Sequence, residues 1–211
     1  MSKLRCHISM SLDGFVAGPN QSAENPLGEG GEHLHDWVIQ LGSWRQAHGQ
    51  EGGEANESTR VQEESMENIG AAVMGRNMFG PAHGGAWDEQ WKGWWGDNPP
   101  YHYPVFILTH HPRDPVEMEG GTTFHFVTDG IESALEQAKE AAGGKDVMLW
   151  GGADAINQYL AAGLIDELEL HVVPVLLGGG ARLFDNIGDV KLEQVRAVEA
   201  PGVTHLKYRI A

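Results

Sequence analysis

From Leu4 to Leu12 the apolar residues fall on alternate positions (Leu4, Cys6, Ile8, Met10, Leu12), with Lys3, Arg5, His7, Ser9 and Ser11 polar between or beside them. A period of two predicts a half-buried strand. Asp13-Gly14 bends it and Gly18-Pro19-Asn20 marks a loop. Beyond the irregular, glycine-rich stretch 24–31, the spacing of Leu34, Trp37, Val38, Leu41 and Trp44 predicts one amphipathic helix. The polar segment 48–57 has nothing to bury and predicts an exposed loop. Ser58 can then cap a second helix carrying Val61 and Ile69. Ala71-Ala72-Val73-Met74 reads as a short buried strand ending at Gly75.

Residues 80–103 have no clear period and hold Trp87, Trp91, Trp94 and Trp95 among glycine, proline and acidic residues. Such a loop fits a lid or subunit contact, and equally a segment packed down on the sheet edge. From Pro104 onward strand and helix alternate. Strands are predicted at 105–109, 123–128 and 147–150. Asp129 with Glu132 resembles a capping box for a helix bearing Ile131, Leu135 and Ala138 that ends at Gly143-Gly144. Ile156, Tyr159 and Leu160 mark another helix, closed by Gly163. A strand at 168–177 is interrupted by Pro174, and two last strands lie near 192–198 and 203–210. This order implies one α/β domain over 1–211, with a mainly parallel sheet and helices on both faces. Ligands of such sheets sit beyond the carboxyl ends of the strands.

Composition narrows the partners. The net charge of −16 argues against nucleic acid and an anionic membrane surface, so a phosphorylated ligand would need local cations and backbone N–H groups. Cys6 is the single cysteine, which excludes an internal disulfide and cysteine-rich zinc sites. With no apolar leader at Met1–Arg5 and no run long enough to span a bilayer, the expected compartment is the cytoplasm.

Three segments at predicted strand ends carry candidate chemistry. In Trp150-Gly151-Gly152-Ala153 two glycines join a strand to a helix, leaving backbone N–H groups open to an anion, although such a turn is also a common packing device. In Gly75-Arg76-Asn77 a guanidinium suited to phosphate follows a strand, or else a surface arginine paired with a carboxylate. In Thr109-His110-His111-Pro112-Arg113 a phosphate would find a hydroxyl and positive charge. A metal site is not indicated: adjacent histidines point apart, and His33-x-His35 is the nearest approach to a ligand spacing. No Gly-x-Ser-x-Gly elbow or phosphate-loop lysine is present, so a hydrolase reading lacks its nucleophile.

Taken in order, Ser11-Leu12-Asp13-Gly14, Met74-Gly75-Arg76-Asn77, Leu108-Thr109, Gly151-Gly152, Leu164-Ile165-Asp166-Glu167-Leu168 and Pro174-Val175-Leu176-Leu177-Gly178 resemble the bacterial dihydrofolate reductase-like proteins. These are related to the reductase domain of the bifunctional riboflavin-biosynthesis deaminase-reductase. The resemblance spans nearly the whole chain and implies a mixed, mainly parallel eight-stranded sheet that binds NADPH across its middle. It implies Gly75, Arg76 and Asn77 at the adenosine-side phosphates, Thr109 and His110 near the 2′-phosphoribose, and Gly151, Gly152 and Ala153 at the pyrophosphate. Ser11, Asp13, Gly14 and Phe15 would flank nicotinamide and substrate, Asp13 rather as a shaper of the turn. Asp36 is the nearest counterpart of the carboxylate that holds the pterin in dihydrofolate reductases; it is the candidate for substrate anchoring or proton supply, or else a helix-surface carboxylate. Met78 stands where those enzymes carry threonine, and the zinc-binding deaminase domain is lacking. The implied activity is NADPH-dependent reduction of a small polar heterocycle of the riboflavin-precursor type, with dihydrofolate reduction or a non-catalytic NADPH sensor as alternatives. A homodimer is expected, since reductases resembling this one often pair through their sheets.

Overall fold

The computed structural model describes residues 2–80 and 86–211; residues 81–85 of the tryptophan-bearing segment lie outside the described residues. The strands are β1 (Leu4–Ser11), β2 (Phe15–Ala17), β3 (Ile69–Gly75), β4 (Pro104–Leu108), β5 (Val116–Glu117), β6 (Thr123–Val127), β7 (Asp146–Leu149), β8 (Glu167–Val173), β9 (Ala181–Arg182), β10 (Leu192–Ala200) and β11 (Val203–Ile210). The helices are α1 (Asp36–Ile39), α2 (Gly42–Ala47), α3 (Glu57–Met66), α4 (Arg76–Phe79), α5 (Ile131–Ala141) and α6 (Ala153–Ala161).

The main sheet runs β10-β11-β8-β1-β7-β3-β4-β6-β5, while β2 and β9 form a separate small ribbon. The six strands from β8 to β6 are mutually parallel, and β11, β10 and β5 are antiparallel additions at the edges. The sheet is mixed and mainly parallel as expected, with nine strands rather than eight. The extra strand is the two-residue β5, too short to announce itself in the sequence.

One face is apolar throughout. There Leu4, Cys6, Val73 and Leu149 meet Leu135 and Ala138 of α5 and Ile156, Tyr159 and Leu160 of α6. Each fully buried aliphatic side chain contributes about 1.5–3 kcal/mol. Tyr159 keeps its hydroxyl satisfied by donating to the Ile131 carbonyl at 2.7 Å.

The other face corrects the reading of β1 as half-buried. Arg5, His7, Ser9 and Ser11 are buried as fully as their apolar neighbours. Buried polar groups require partners, and helices α1 to α3 supply most of them. Arg5 donates to the carbonyls of Glu64, Ser65 and Glu67 at 3.1, 3.1 and 2.8 Å, closing the carboxyl end of α3. Ser9 accepts the Trp37 indole N–H at 3.1 Å. Trp37 lies over two further imidazoles, with ring centroids 4.7 Å from His171 and 4.9 Å from His205. The Nδ1 atoms of His171 and His205 are 2.8 Å apart, so one ring must donate and the other accept, and His205 Nε2 continues the chain to Ser58 Oγ at 2.9 Å. Among the described residues no three His, Cys, Asp or Glu side chains converge as metal ligands would.

Local chemistry moved several expected element ends. The single helix expected over 34–44 is a 3-10 turn (Gly31–His35), then α1, then α2, because Leu41 takes an extended conformation. Asn56, not Ser58, caps α3 through a capping box with Thr59; Ser58 is left free to bond His205. No side chain caps α5, whose first turn starts at Gly130 instead of Asp129. Strand β8 stops at Val173, directly before Pro174.

Burial makes the histidines of this layer poor proton acceptors. It lowers His7 to about 3, helped by Arg5 and Lys207, and His205 to about 4, helped by Arg196; it lowers His171 as well. The unfolded chain therefore binds more protons than the native one between about pH 6.5 and about pH 4, and stability falls as pH drops through that window. The expected loss is on the order of 1 kcal/mol per pH unit for each such histidine. It precedes the carboxylate losses, which begin only near pH 4. Urea midpoints measured across the window check this, and a flat profile would contradict a neutral histidine layer.

Candidate functional site

The carboxyl ends of β3, β4, β6 and β7 open on one side of the sheet, where the predicted glycine and cation segments meet. The Gly75 N–H donates to the Gly151 carbonyl at 2.6 Å, tying the ends of β3 and β7 together. A Cβ on Gly75 would stand 3.5 Å from Gly151 O, Gly152 N and the Ala155 methyl, filling the space between the two turns. Gly151 has φ +113°, a conformation that side-chain-bearing residues rarely adopt, and the Gly151–Gly152 peptide is cis. A Cβ on Gly152 would meet nothing within 4 Å, so this backbone is open to a ligand. Helix α6 begins at Ala153 with no side chain capping its first N–H groups, although Asp154 sits in its first turn.

Arg76 opens α4, and its guanidinium lies 4.0 Å from the centre of the Trp87 ring. Among the described residues its Nε, Nη1 and Nη2, all buried, have no hydrogen-bond partner, and burial lowers its pKa. It is not the carboxylate-paired surface arginine that its sequence context allows. Arg113 approaches the same indole at 5.7 Å and Phe126 at 5.1 Å. Only 3% of its side chain is exposed; its Nε lies 3.5 Å from the Glu89 carboxylate and it donates to the Glu89 carbonyl at 2.9 Å, while among the described residues its Nη1 has no hydrogen-bond partner. Trp87 is fixed by donating its indole N–H to the His111 carbonyl at 2.7 Å, and Thr109 Oγ1 accepts the His111 N–H at 3.1 Å. Arg76, Thr109, His111 and Arg113 are therefore gathered around one tryptophan. Asn77 and His110 are exposed beside them. The rest of the tryptophan segment packs down: Trp91 donates to the Phe79 carbonyl at 2.8 Å, and Trp95 lies against Tyr101 and Phe124.

Ser11, Asp13, Gly14 and Phe15 form a knot at the end of β1. Ser11 Oγ donates to Asp13 at 2.6 Å and accepts the Phe15 N–H at 2.9 Å. The Asp13 carboxylate also accepts the N–H groups of Leu177 and Gly178 at 3.1 and 2.7 Å, which pins the 174–180 loop. The Ser11 and Gly178 hydrogen bonds hold Asp13 at about 2. Gly14 turns there with φ +92°. Asp36 stands apart from these groups: it is exposed and bonded to His33 Nδ1 at 3.0 Å, which raises the His33 pKa, while its neighbour Trp37 takes the buried position. An open cleft of about 900 Å³ lies outside this arrangement, between the outer face of α6 and Arg182, whose cation is 3.4 Å from Asp185.

Sequence reasoning gave Arg113 only a supporting part, read Trp37 only as part of a helix face, and did not single out His171 or His205. A signal existed for Trp37, His171 and His205: the polar positions of β1 needed buried partners, and His171 and His205 occupy matching positions on flanking strands.

A mainly parallel sheet with glycine turns and the unpaired Arg76 guanidinium at its strand ends fits an α/β protein of the dihydrofolate reductase kind. More particularly, the chain belongs to the family of the RibD C-terminal domain, which residues 2–206 match. It is 34% identical over 86 residues to YyaP, an uncharacterized protein of Bacillus subtilis (strain 168); the match takes in 39% of this chain and 45% of that protein, so under half of that relative is spanned. Among solved structures, a Shewanella sp. PV-4 protein assigned to riboflavin biosynthesis superposes with TM-score 0.61 at 21% identity, covering 100% of this chain and 99% of the other. The Saccharomyces cerevisiae riboflavin biosynthesis reductase Rib7 gives 0.58 at 14% identity, with 100% and 90% covered. A dihydrofolate reductase from Enterococcus faecalis, solved with NADP(H), gives 0.56 at 13% identity, with 99% and 96% covered.

The pinning role of Asp13 is directly testable. Asp13→Ala removes both acceptors of the Leu177 and Gly178 amides, so their hydrogen exchange should accelerate by roughly tenfold or more. Unchanged exchange at both amides would mean that the loop is held by something else.

Proposed function

We propose that this chain is an NADPH-dependent reductase of a small polar heterocycle of the riboflavin-precursor type, such as a 5-amino-6-(5-phosphoribosylamino)uracil-like substrate, working as a cytoplasmic homodimer. One observation supports the cofactor most: in a chain of net charge −16, all three guanidinium nitrogens of Arg76 are buried beside one indole at the strand ends with no hydrogen-bond partner among the described residues, and Nη1 of the Glu89-paired Arg113 is likewise open. Such groups call for an anion, and the 2′-phosphate of NADPH is one that NADH does not offer.

The residues present fit a dinucleotide. Gly75, Gly151 and Gly152 leave room for a pyrophosphate, the uncapped start of α6 at Ala153 offers N–H groups, and Arg76, Arg113, Thr109 and the exposed Asn77 and His110 would take the adenosine end. When bound, the nicotinamide supplies the hydride. The protein's part is to position and to exclude water. Asp13 fixes the 174–180 loop beside the end of β1, where Ser11, Gly14 and Phe15 would border the nicotinamide and substrate. Asp36, bonded to His33 and exposed, is better read as a surface carboxylate than as the proton source. The dimer reading draws on edge strand β10, which exposes Leu192 and Val195.

The nucleotide preference tests the reading. Charge-assisted hydrogen bonds contribute roughly 1.5–3 kcal/mol each, or about a 10- to 100-fold change in affinity. Titration calorimetry should show Arg76→Ala and Arg113→Ala weakening NADPH by about that factor and NADH by less. Equal affinity of the wild type for both nucleotides would refute the 2′-phosphate assignment. Steady NADPH oxidation with riboflavin-precursor pyrimidines supports the reductase; tight NADPH binding with no turnover on any of them would point instead to a sensor.

The oligomer is checked separately. Light scattering at micromolar concentration should give twice the 23.0 kDa chain mass. A monomer would remove the dimer from the proposal.

A further inference from the structure

Trp87 stands where the loops after β3 and β4 meet, and the sheet holds it on several sides. Its ring meets Phe79 and Phe126 edge-on, with centroids 5.8 and 5.0 Å away. Phe79 is fully buried and lies 4.8 Å from Phe124, so this contact reaches into the core. The indole N–H donates to the His111 carbonyl at 2.7 Å. A Cβ on Gly80, the residue that ends α4, would stand 3.1 Å from Cζ3 of the same ring. The glycine leaves the room in which the indole lies.

Two cations lie over this ring, Arg76 at 4.0 Å and Arg113 at 5.7 Å from its centre. Like charges this close repel, and two carboxylates, Asp88 and Glu89, directly follow Trp87 in the chain. Arg113 has the Glu89 carboxylate 3.5 Å from its Nε, and Asp88 turns back to accept the Gln90 N–H at 2.9 Å. Arg76 takes neither. Among the described residues its buried Nε, Nη1 and Nη2 have no hydrogen-bond partner. The ring explains how it stays there: the face of an indole attracts a guanidinium held over it without using any of its N–H groups. Those donors are left for a planar bidentate contact of the kind a phosphate offers.

We propose that Trp87 is a positioning residue for cofactor choice: it holds Arg76 over its ring and away from the neighbouring carboxylates, so that the guanidinium is presented to the 2′-phosphate that NADPH has and NADH lacks. This rests on the NADPH reading of the strand-end corner, and it assigns the selectivity to a side chain that need touch no part of the nucleotide. Without the ring the positive charge remains in the corner, but its N–H groups turn to Asp88 or Glu89 and are no longer open to the cofactor.

Calorimetric titration of wild type, Trp87→Leu and Trp87→Phe with NADPH and NADH tests this. Trp87→Leu should weaken NADPH by about tenfold and NADH by less than about twofold, and Trp87→Phe, which keeps a ring face but loses the N–H, should fall between Trp87→Leu and wild type. Tryptophan emission supplies a second readout that does not depend on the leucine variant folding. The wild-type emission should change with 2′,5′-ADP and not with 5′-AMP, because a phosphate on Arg76 alters the charge facing the ring, and Trp87→Phe should abolish the change. Equal weakening of both nucleotides in Trp87→Leu would overturn the proposal, since the ring would then only pack. Unaltered NADPH affinity in Trp87→Leu, or an emission change that survives in Trp87→Phe, would overturn it as well. A wild type that binds NADPH and NADH equally would instead remove the 2′-phosphate reading, and this proposal with it; a selective wild type beside an equally selective Trp87→Leu counts against Trp87 alone.

Discussion

Every second residue of β1 turns a polar group toward the α1–α3 side of the sheet, and none of these groups reaches bulk water. Each must be satisfied inside or remain a cost on the fold. Arg5 meets this by closing the carboxyl end of α3, Ser9 by holding Trp37, and Ser11 by holding Asp13. The consequences reach the site. Asp13 is thereby aimed at the 174–180 loop, and Trp37 is seated over the His171–His205 pair with α1 behind it. A central strand that is apolar on one side and hydrogen-bonded on the other thus sets the positions of two helices and one site loop.

The arginine corner solves a different problem with the same economy. Under the proposed function, a strongly acidic chain would repel a polyphosphate at long range, so attraction would have to be concentrated. Stacking Arg76 at 4.0 Å over Trp87 keeps its planar face on an aromatic surface and leaves its N–H edge free. Trp87 in turn depends on the His111 carbonyl, and His111 on Thr109. The corner is therefore built by the loop after β4 as much as by the loop after β3. This also decides the role of the tryptophan segment among the described residues: it packs on the sheet edge, and by packing it shapes the cation site.

Periodicity made the sheet legible because the strands of the second half are separated by glycine and proline signals, and because β1 alternates without a break. It could not show that the polar half of β1 is buried, since alternation looks the same whether water or a helix covers the polar side. Nor could it divide the stretch 31–47, where Leu34, Trp37 and Leu41 keep helical spacing although the backbone breaks between α1 and α2. Glycine turns and Arg76 were legible as strand-end chemistry. Trp87 was not: its meaning comes from a contact across 11 residues, and nothing local distinguishes it from an ordinary core tryptophan.

Charge and neutrality are kept apart in this molecule, and that separation constrains what it can hold. Among the described residues the Arg76 guanidinium has no hydrogen-bond partner at the end of β3, while the face under α1 offers the imidazoles of His7, His171 and His205, whose charged forms burial disfavours. Under the proposed function, a phosphate would lie at the first region and an uncharged part of the ligand toward the second. Reversed, it would bury phosphate among neutral groups and leave the guanidinium edges empty, losing favourable interactions at both ends. Under the proposed function the two regions would set the direction in which a nucleotide lies along the strand ends. That directionality needs no carboxylate on the first helix, and it is consistent with Asp36 being left to the solvent.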